Sequence, residues 1–133
     1  MGKFYPLVLA LFCGVFPGRA QSIHFDRLDI NDGLSQNTVT SIIQDDKGFM
    51  WFGTKDGLCR YDGKSFKTFM HDPRLTTGLG NSLIKCLVED HDRRIWVGTD
   101  SGLYIYDPEM EHFSAVPLYA DDGKPVTLSL IHI

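Results

Sequence analysis

Five histidines, three cysteines and 17 acidic side chains are the residues of this 133-residue chain best suited to chemistry, and their spacing is the first test of whether they perform any. His24, His71, His91, His112 and His132 stand far apart, with no pair at the short spacings from which a zinc site is built. Cys59 and Cys86 have no Cys or His neighbour at ligand spacing, and each falls in a strand of a different repeat; two buried free thiols are expected. Asp45-Asp46-Lys47-Gly48 and Glu89-Asp90-His91-Asp92 resemble calcium loops only in their charge. They lack the alternate-oxygen ladder and the distal Glu of such a loop, and read as solvated hairpin turns. No Ser, Cys or Lys stands in a nucleophile's setting, and no glycine-rich phosphate cradle occurs. A carboxylate pair for glycoside hydrolysis is not marked out by position. The expectation is a segment with no catalytic residue, no metal and no cofactor.

Trp51 and Trp96 remain as candidates, since indole faces make platforms for sugar rings. Their spacing decides against that use. Met50 to Asp62 returns 45 residues later as Ile95 to Asp107, with Trp51 and Trp96, Gly53 and Gly98, Thr54 and Thr99, Gly57 and Gly102, Leu58 and Leu103, Tyr61 and Tyr106, and Asp62 and Asp107 identical. Recurrence at a fixed position favours packing between repeated units over ligand contact. The pairs Gly53-Thr54 and Gly98-Thr99 likewise read as strand-end and turn residues.

Elements that position these residues follow from local pattern. Met50-Trp51-Phe52 and Ile95-Trp96-Val97 are aromatic or β-branched triplets suited to a half-buried pleated surface. The polar residues and glycine of Lys55-Asp56-Gly57 and Asp100-Ser101-Gly102 supply hairpin chemistry. Thr38–Gln44 and Ser65–Phe69 complete a four-stranded first unit, and Ser82–Val88 and His112–Val116 a second. In this alignment Asn81 answers Asn37, and the connection Glu89–Arg94 is one residue longer than its counterpart. A strand-rich unit recurring at this period means propeller blades. The fold class is therefore all-β: two four-stranded blades and the start of a third, from a multi-bladed propeller.

The chain divides accordingly. Residues 1–20 carry a basic start, an apolar run and small residues before a cleavage between Ala20 and Gln21, as in a secretory signal peptide; the run is too short to span a bilayer as a helix. Residues 21–36 are expected to hold a leading strand and a loop, 37–80 blade 1 with its connecting loop, 81–125 blade 2, and 126–133 the opening of a third repeat. Residues 128–133 also resemble the translation of a sequencing adapter, a reading under which natural sequence ends near Thr127. Removing residues 1–20 leaves 11 cations against 17 acids, a formal charge of −6. Without a basic stripe, direct nucleic acid contact is not expected.

The pattern from Asn37 to Asp62, repeated in register, resembles the two-component regulator propeller repeat. With the leader and the segment Phe25–Asn37, the chain is similar to the start of the periplasmic sensor region of Bacteroidetes-type hybrid two-component histidine kinases. The second unit departs from the first at Arg93-Arg94, where the first has Gly48-Phe49. The resemblance implies an exported, periplasmic part of an inner-membrane protein, with seven-bladed propellers, a homodimer, and a downstream kinase. It also implies an oligosaccharide ligand and control of glycan-utilisation genes through phosphorelay. Long loops on rigid scaffolds carry binding residues, so Asp72, Arg74 and Asn81, on or beside the long connection between units, are the ligand-contact candidates. An exported propeller lyase or hydrolase and a passive interaction scaffold are the alternatives.

Overall fold

The computed structural model describes Gly18 and residues 21–124, so the expected leader, its cleavage site and the opening of a third repeat lie outside the described residues. Two four-stranded antiparallel sheets form, each a meander in chain order. Strands β1 (Val39–Gln44), β2 (Met50–Thr54), β3 (Gly57–Tyr61) and β4 (Phe66–Phe69) make the first. Strands β5 (Ile84–Glu89), β6 (Ile95–Thr99), β7 (Leu103–Asp107) and β8 (His112–Val116) make the second. These are the two four-stranded propeller blades expected from the repeat.

Register corrects one detail of the repeat. Val39 pairs with Thr54 and Ile84 with Thr99, and the same irregularity follows each pairing. The mate of Val39 is thus Ile84, at the 45-residue spacing of the tryptophans. The two β-turns are alike in length: Asp45 N–H donates to Phe49 O and Asp90 N–H to Arg94 O, both at 3.0 Å. The extra residue expected in the second turn is therefore absent from it. The repeats run in step at 45 residues from Gly33 and Gly78 onward, and Asn81 answers Gln36 rather than Asn37. A one-residue slip of β5 would turn Leu87 from the packed face to the other, so burial of Leu87 fixes the register.

Residues 22–30 are expected from sequence to form a leading strand whose partner is a later blade. They carry no strand, and Ile23 and Phe25 are exposed. A strand exists through its partner's hydrogen bonds, and among the described residues no edge pairs with this segment. The chain instead docks on blade 1 further along, where Leu34 is buried and Ser35 N–H reaches Cys59 Sγ at 3.4 Å. Leu79 is buried in the corresponding position of blade 2. Gly33-Leu34 and Gly78-Leu79 therefore belong to the repeat.

The core is the seam between the blades. Blade 1 contributes Trp51 and Leu58, and blade 2 contributes Ile84, Leu87, Ile95, Val97, Tyr106 and Phe113. Trp51 meets Tyr106 edge to face with centroids 5.0 Å apart, and Phe69 meets Phe113 at 5.4 Å. Such pairs add about 0.5–1.5 kcal/mol each beyond the area they bury. Gly53 is required by this closeness, because a Cβ there would stand 2.7 Å from Ile84 Cγ2 across the seam.

Gly98 and Thr99, expected at a strand end and turn, are the last two residues of β6. Gly98 is buried within β6, where it pairs with Cys86 on one side and Leu103 on the other. A Cβ at Gly98 would collide with Cys86 Sγ, beside the irregularity in β5. Its small size therefore serves close approach inside one sheet, the usual reason for a glycine in a strand. Of the two hairpin glycines, Gly57 takes positive φ (114°) whereas Gly102 does not.

Candidate functional site

The repeated residues suggested by sequence are placed as framework. Trp51 is buried in the seam and its indole N–H donates to Asp45 Oδ2 at 2.8 Å. Trp96, with no blade described beyond it, is half-buried and donates to Asp90 Oδ2 at 2.7 Å. Neither Asp45 nor Asp90 was legible as special within an acidic turn, although each stands six residues before its tryptophan. Each carboxylate also caps its own turn: Asp45 Oδ1 accepts from the Lys47 and Phe49 amides, and Asp90 Oδ1 from the Asp92 and Arg94 amides. The Trp96 indole, with the turn amides and the Arg94 guanidinium, holds the Asp90 carboxyl down at about 2. Thr54 and Thr99, which follow Gly53 and Gly98, are buried and bond across their hairpins to Gly57 O and Gly102 O at 2.8 and 2.9 Å. Asp62 and Asp107 cap the outer turns through the Lys64 and Ser65 amides and the Glu109 and Met110 amides. Cys59 and Cys86 are free, the first buried and the second half-buried.

The long connection from β4 to β5 brings two of its three candidates together. The Arg74 guanidinium grips Asp72 with two hydrogen bonds, Nε to Oδ1 at 2.9 Å and Nη2 to Oδ2 at 2.8 Å. That pairing lowers the Asp72 carboxyl below its usual range and raises Arg74. Asn81 stays apart in role, its Oδ1 accepting the Leu83 amide at 2.7 Å in a local turn.

A denser convergence lies at the opposite end of the sheets, where the β1–β2 turn of blade 1 meets blade 2. Arg60, with a side chain only 19 % exposed, has its guanidinium 4.9 Å from the Phe49 ring centroid and 5.7 Å from that of Trp51. It donates to Tyr106 Oη at 3.2 Å and to Glu111 Oε1 at 3.3 Å. Lys67 also pairs with Glu111, and this contact, with Arg60 adding to it, lowers the Glu111 carboxyl. Burial raises the Tyr106 phenol against the opposing pull of Arg60. Nearby, Arg93 of blade 2 pairs with Asp46 of blade 1 at 3.1 Å.

Two backbone features deliver these cross-seam side chains. Arg93 (φ 63°) and Glu111 (φ 52°) are the non-glycine residues at positive φ among the described residues. Arg93 occupies the place that Gly48 (φ 90°) holds in blade 1. Glu111 sits in a connection lengthened by two residues, since Tyr61 pairs with Phe66 but Tyr106 with Phe113. Between these groups lies a cavity of about 130 Å³ lined in part by Lys47, Phe49, Arg60, Arg93, Ile95 and Pro108. A groove of about 480 Å³ shares Asp46, Lys47, Arg93 and Pro108 with it and continues past Arg94 and Glu109. Repeat-breaking positions such as Arg60, whose mate is Ile105, carry no signal in a repeat alignment.

Paired meander sheets, a 45-residue repeat and a seam built from its invariant positions define a propeller-blade protein. Residues 33–56 and 78–101 each match the two component regulator propeller family, 45 residues apart as the register requires. The chain thus carries two copies of the two component regulator propeller repeat. A stretch of 46 residues, 35% of the chain, is 48% identical to histidine kinase P4 of Formosa agariphila and amounts to 3% of that protein. The extracellular domain of a hybrid two-component system from B. thetaiotaomicron superposes with a TM-score of 0.67 and 31% identity, over 76% of this chain and 14% of that one. A second such domain from the same organism gives 0.62 and 25% identity, over 77% and 15%. The chain thus spans a small part of each of these proteins, and its fold matches part of the two extracellular domains.

Proposed function

We propose that this chain is the N-terminal piece of the periplasmic, ligand-sensing region of a hybrid sensor histidine kinase, exported and anchored in the inner membrane. The whole protein detects an oligosaccharide and controls transcription of glycan-utilisation genes through phosphorelay. The observation that supports this most is the pair of in-register repeats in a fold shared with extracellular domains of hybrid two-component systems. The segment itself performs no chemistry; it presents loops and turns from a rigid scaffold to a ligand. Binding shifts the relative placement of domains across a homodimer, and its reach is limited to the difference in ligand affinity between the two arrangements.

Reading the gene onward from the Thr127 codon is expected to yield further repeats, an apolar span of ~20 residues and a kinase. With that sequence in hand, the complete extracellular region is tested for binding against an oligosaccharide panel, with a transcriptional reporter on the whole protein. A run of blades ending without a kinase overturns the sensor reading. A kinase whose reporter answers a different ligand class overturns the oligosaccharide.

A further inference from the structure

Two kinds of contact join the blades, and they differ in whether the repeat supplies them. The apolar seam residues have apolar mates one repeat away: Trp51 has Trp96, Leu58 has Leu103, Tyr106 has Tyr61 and Phe113 has Phe66. The open following face of blade 2 and the open preceding face of blade 1 therefore offer apolar surface of the same kind as the seam. Apolar burial is non-directional, so it does not tell one such face from another.

The polar contacts do. Asp46 pairs with Arg93 at 3.1 Å, and its N–H donates to Glu89 Oε1 at 3.2 Å. Arg60 and Lys67 converge on Glu111, and Thr40 Oγ1 donates to Ile84 O at 2.7 Å. Blade 2 replaces every one of these blade 1 groups: His91 stands for Asp46, Ile105 for Arg60, Ser114 for Lys67 and Lys85 for Thr40. On the facing side, blade 1 has Gly48 for Arg93 and Gln44 for Glu89. A seam joining the two open faces would bury similar apolar residues and lose these ion pairs. Arg93 and Glu111 also take positive φ where they make their contacts, a strain that persists where the surroundings or a function impose it.

We propose that this polar rim selects blade order. The preceding face of blade 2 recognises a blade face with an acid in its β1–β2 turn and two cations on β3 and β4, and it rejects apolar faces that lack them. The partner it fits is the following face of blade 1, in the same chain or in a second copy. Exposed ion pairs add little to stability. Specificity, however, is a difference between partners, and groups left unpaired against the wrong face supply it. Selection of this kind answers the characteristic failure of repeat proteins, in which look-alike units exchange or join in the wrong order. It rests on the seam and is independent of the sensory reading above.

The test mixes two full-length variants, Asp46→Arg and Arg93→Asp, with one of them isotope-labelled, and reads the dimers by native mass spectrometry. Each variant sets like charges together in its own seam. Reciprocal exchange of blades between the two, hinged on the long connection from β4 to β5, restores opposite charges in both seams. Mixed dimers are expected to exceed random pairing about five-fold or more, as for residues of one ion-pair network. Asp46→Arg combined with Arg93→Asp in one chain is expected to regain the unaltered chain's thermal midpoint, which separates charge matching from loss of folding. Lys85→Asp mixed with Asp100→Lys, reversing a 2.7 Å pair held inside blade 2, is expected to pair at random. Random pairing of the two seam variants, the absence of mixed dimers, or a double variant no more stable than the single ones overturns the proposal.

Discussion

A carboxylate six residues before each tryptophan is the smallest unit on which the blade depends. Asp90 accepts an indole N–H, two turn amides and a guanidinium, and its carboxyl is held at about 2 against an ordinary 3.8. Because the folded chain binds this proton less tightly than the unfolded one, the contribution is full above about pH 4 and is lost as the pH falls towards 2. Asp90→Asn is expected to lower the thermal midpoint at pH 7 and to flatten its fall between pH 4 and pH 2, read from melts across that range. Gly53 is the seam residue that admits no side chain. Its Cβ would meet Ile84 of the neighbouring blade, and Gly53→Ala is expected to cost about 1–3 kcal/mol through overpacking, measured by chemical denaturation. The sequence marked Gly53 and Gly98 through their recurrence, but the reasons differ: one faces Ile84 across the seam, the other Cys86 within its own sheet.

At the scale of the strand and sheet, equal residues have unequal surroundings. Leu87 is 5 % exposed whereas its mate Ile42 is 54 % exposed. Val88 is 57 % exposed whereas its mate Ile43 packs against the core. Each blade turns one face to the blade before it and the other to the blade after. Blade 1 is covered on its following face and blade 2 on its preceding face. Trp51→Ala in this chain is therefore expected to cost about 3–5 kcal/mol, as for a buried aromatic. Trp96→Ala should cost less than half as much, because its face has no described neighbour. Unfolding midpoints of the two variants under one condition check this, and equal losses would contradict the assignment of faces.

For the molecule as a whole, two blades leave Ile42 and Val88 on opposite open faces, a surface arrangement that favours association. The chain on its own is expected to be marginally stable and prone to self-associate. Ile42→Lys with Val88→Lys should shift it towards monomer in sedimentation analysis at equal concentration. Addition of the next repeat should raise the thermal midpoint by covering Val88 and Trp96. A sharp, concentration-independent monomeric transition in the unaltered chain would count against this view.

Sequence alone determined the blades, because the period of 45 residues, the Trp-x-Gly-Thr hairpins and the Asp turns are local signals that repeat. It also supplied Asp72, Arg74 and Asn81 as candidates, from loop length alone; the structure makes the first two an ion pair and the third a turn cap. The leading strand was not decided by sequence, since a strand needs an edge to pair with. The register of the second blade was not decided either: two asparagines suggested one alignment, and burial of Leu87 imposed another. Tertiary structure alone brought Arg60, Lys67 and Asp46 of one blade to Glu111 and Arg93 of the next. Those residues are separated by about one repeat and match nothing in it, so no periodicity could announce them. Only the closing of one sheet face on another, driven by the aromatic seam, sets their charges side by side.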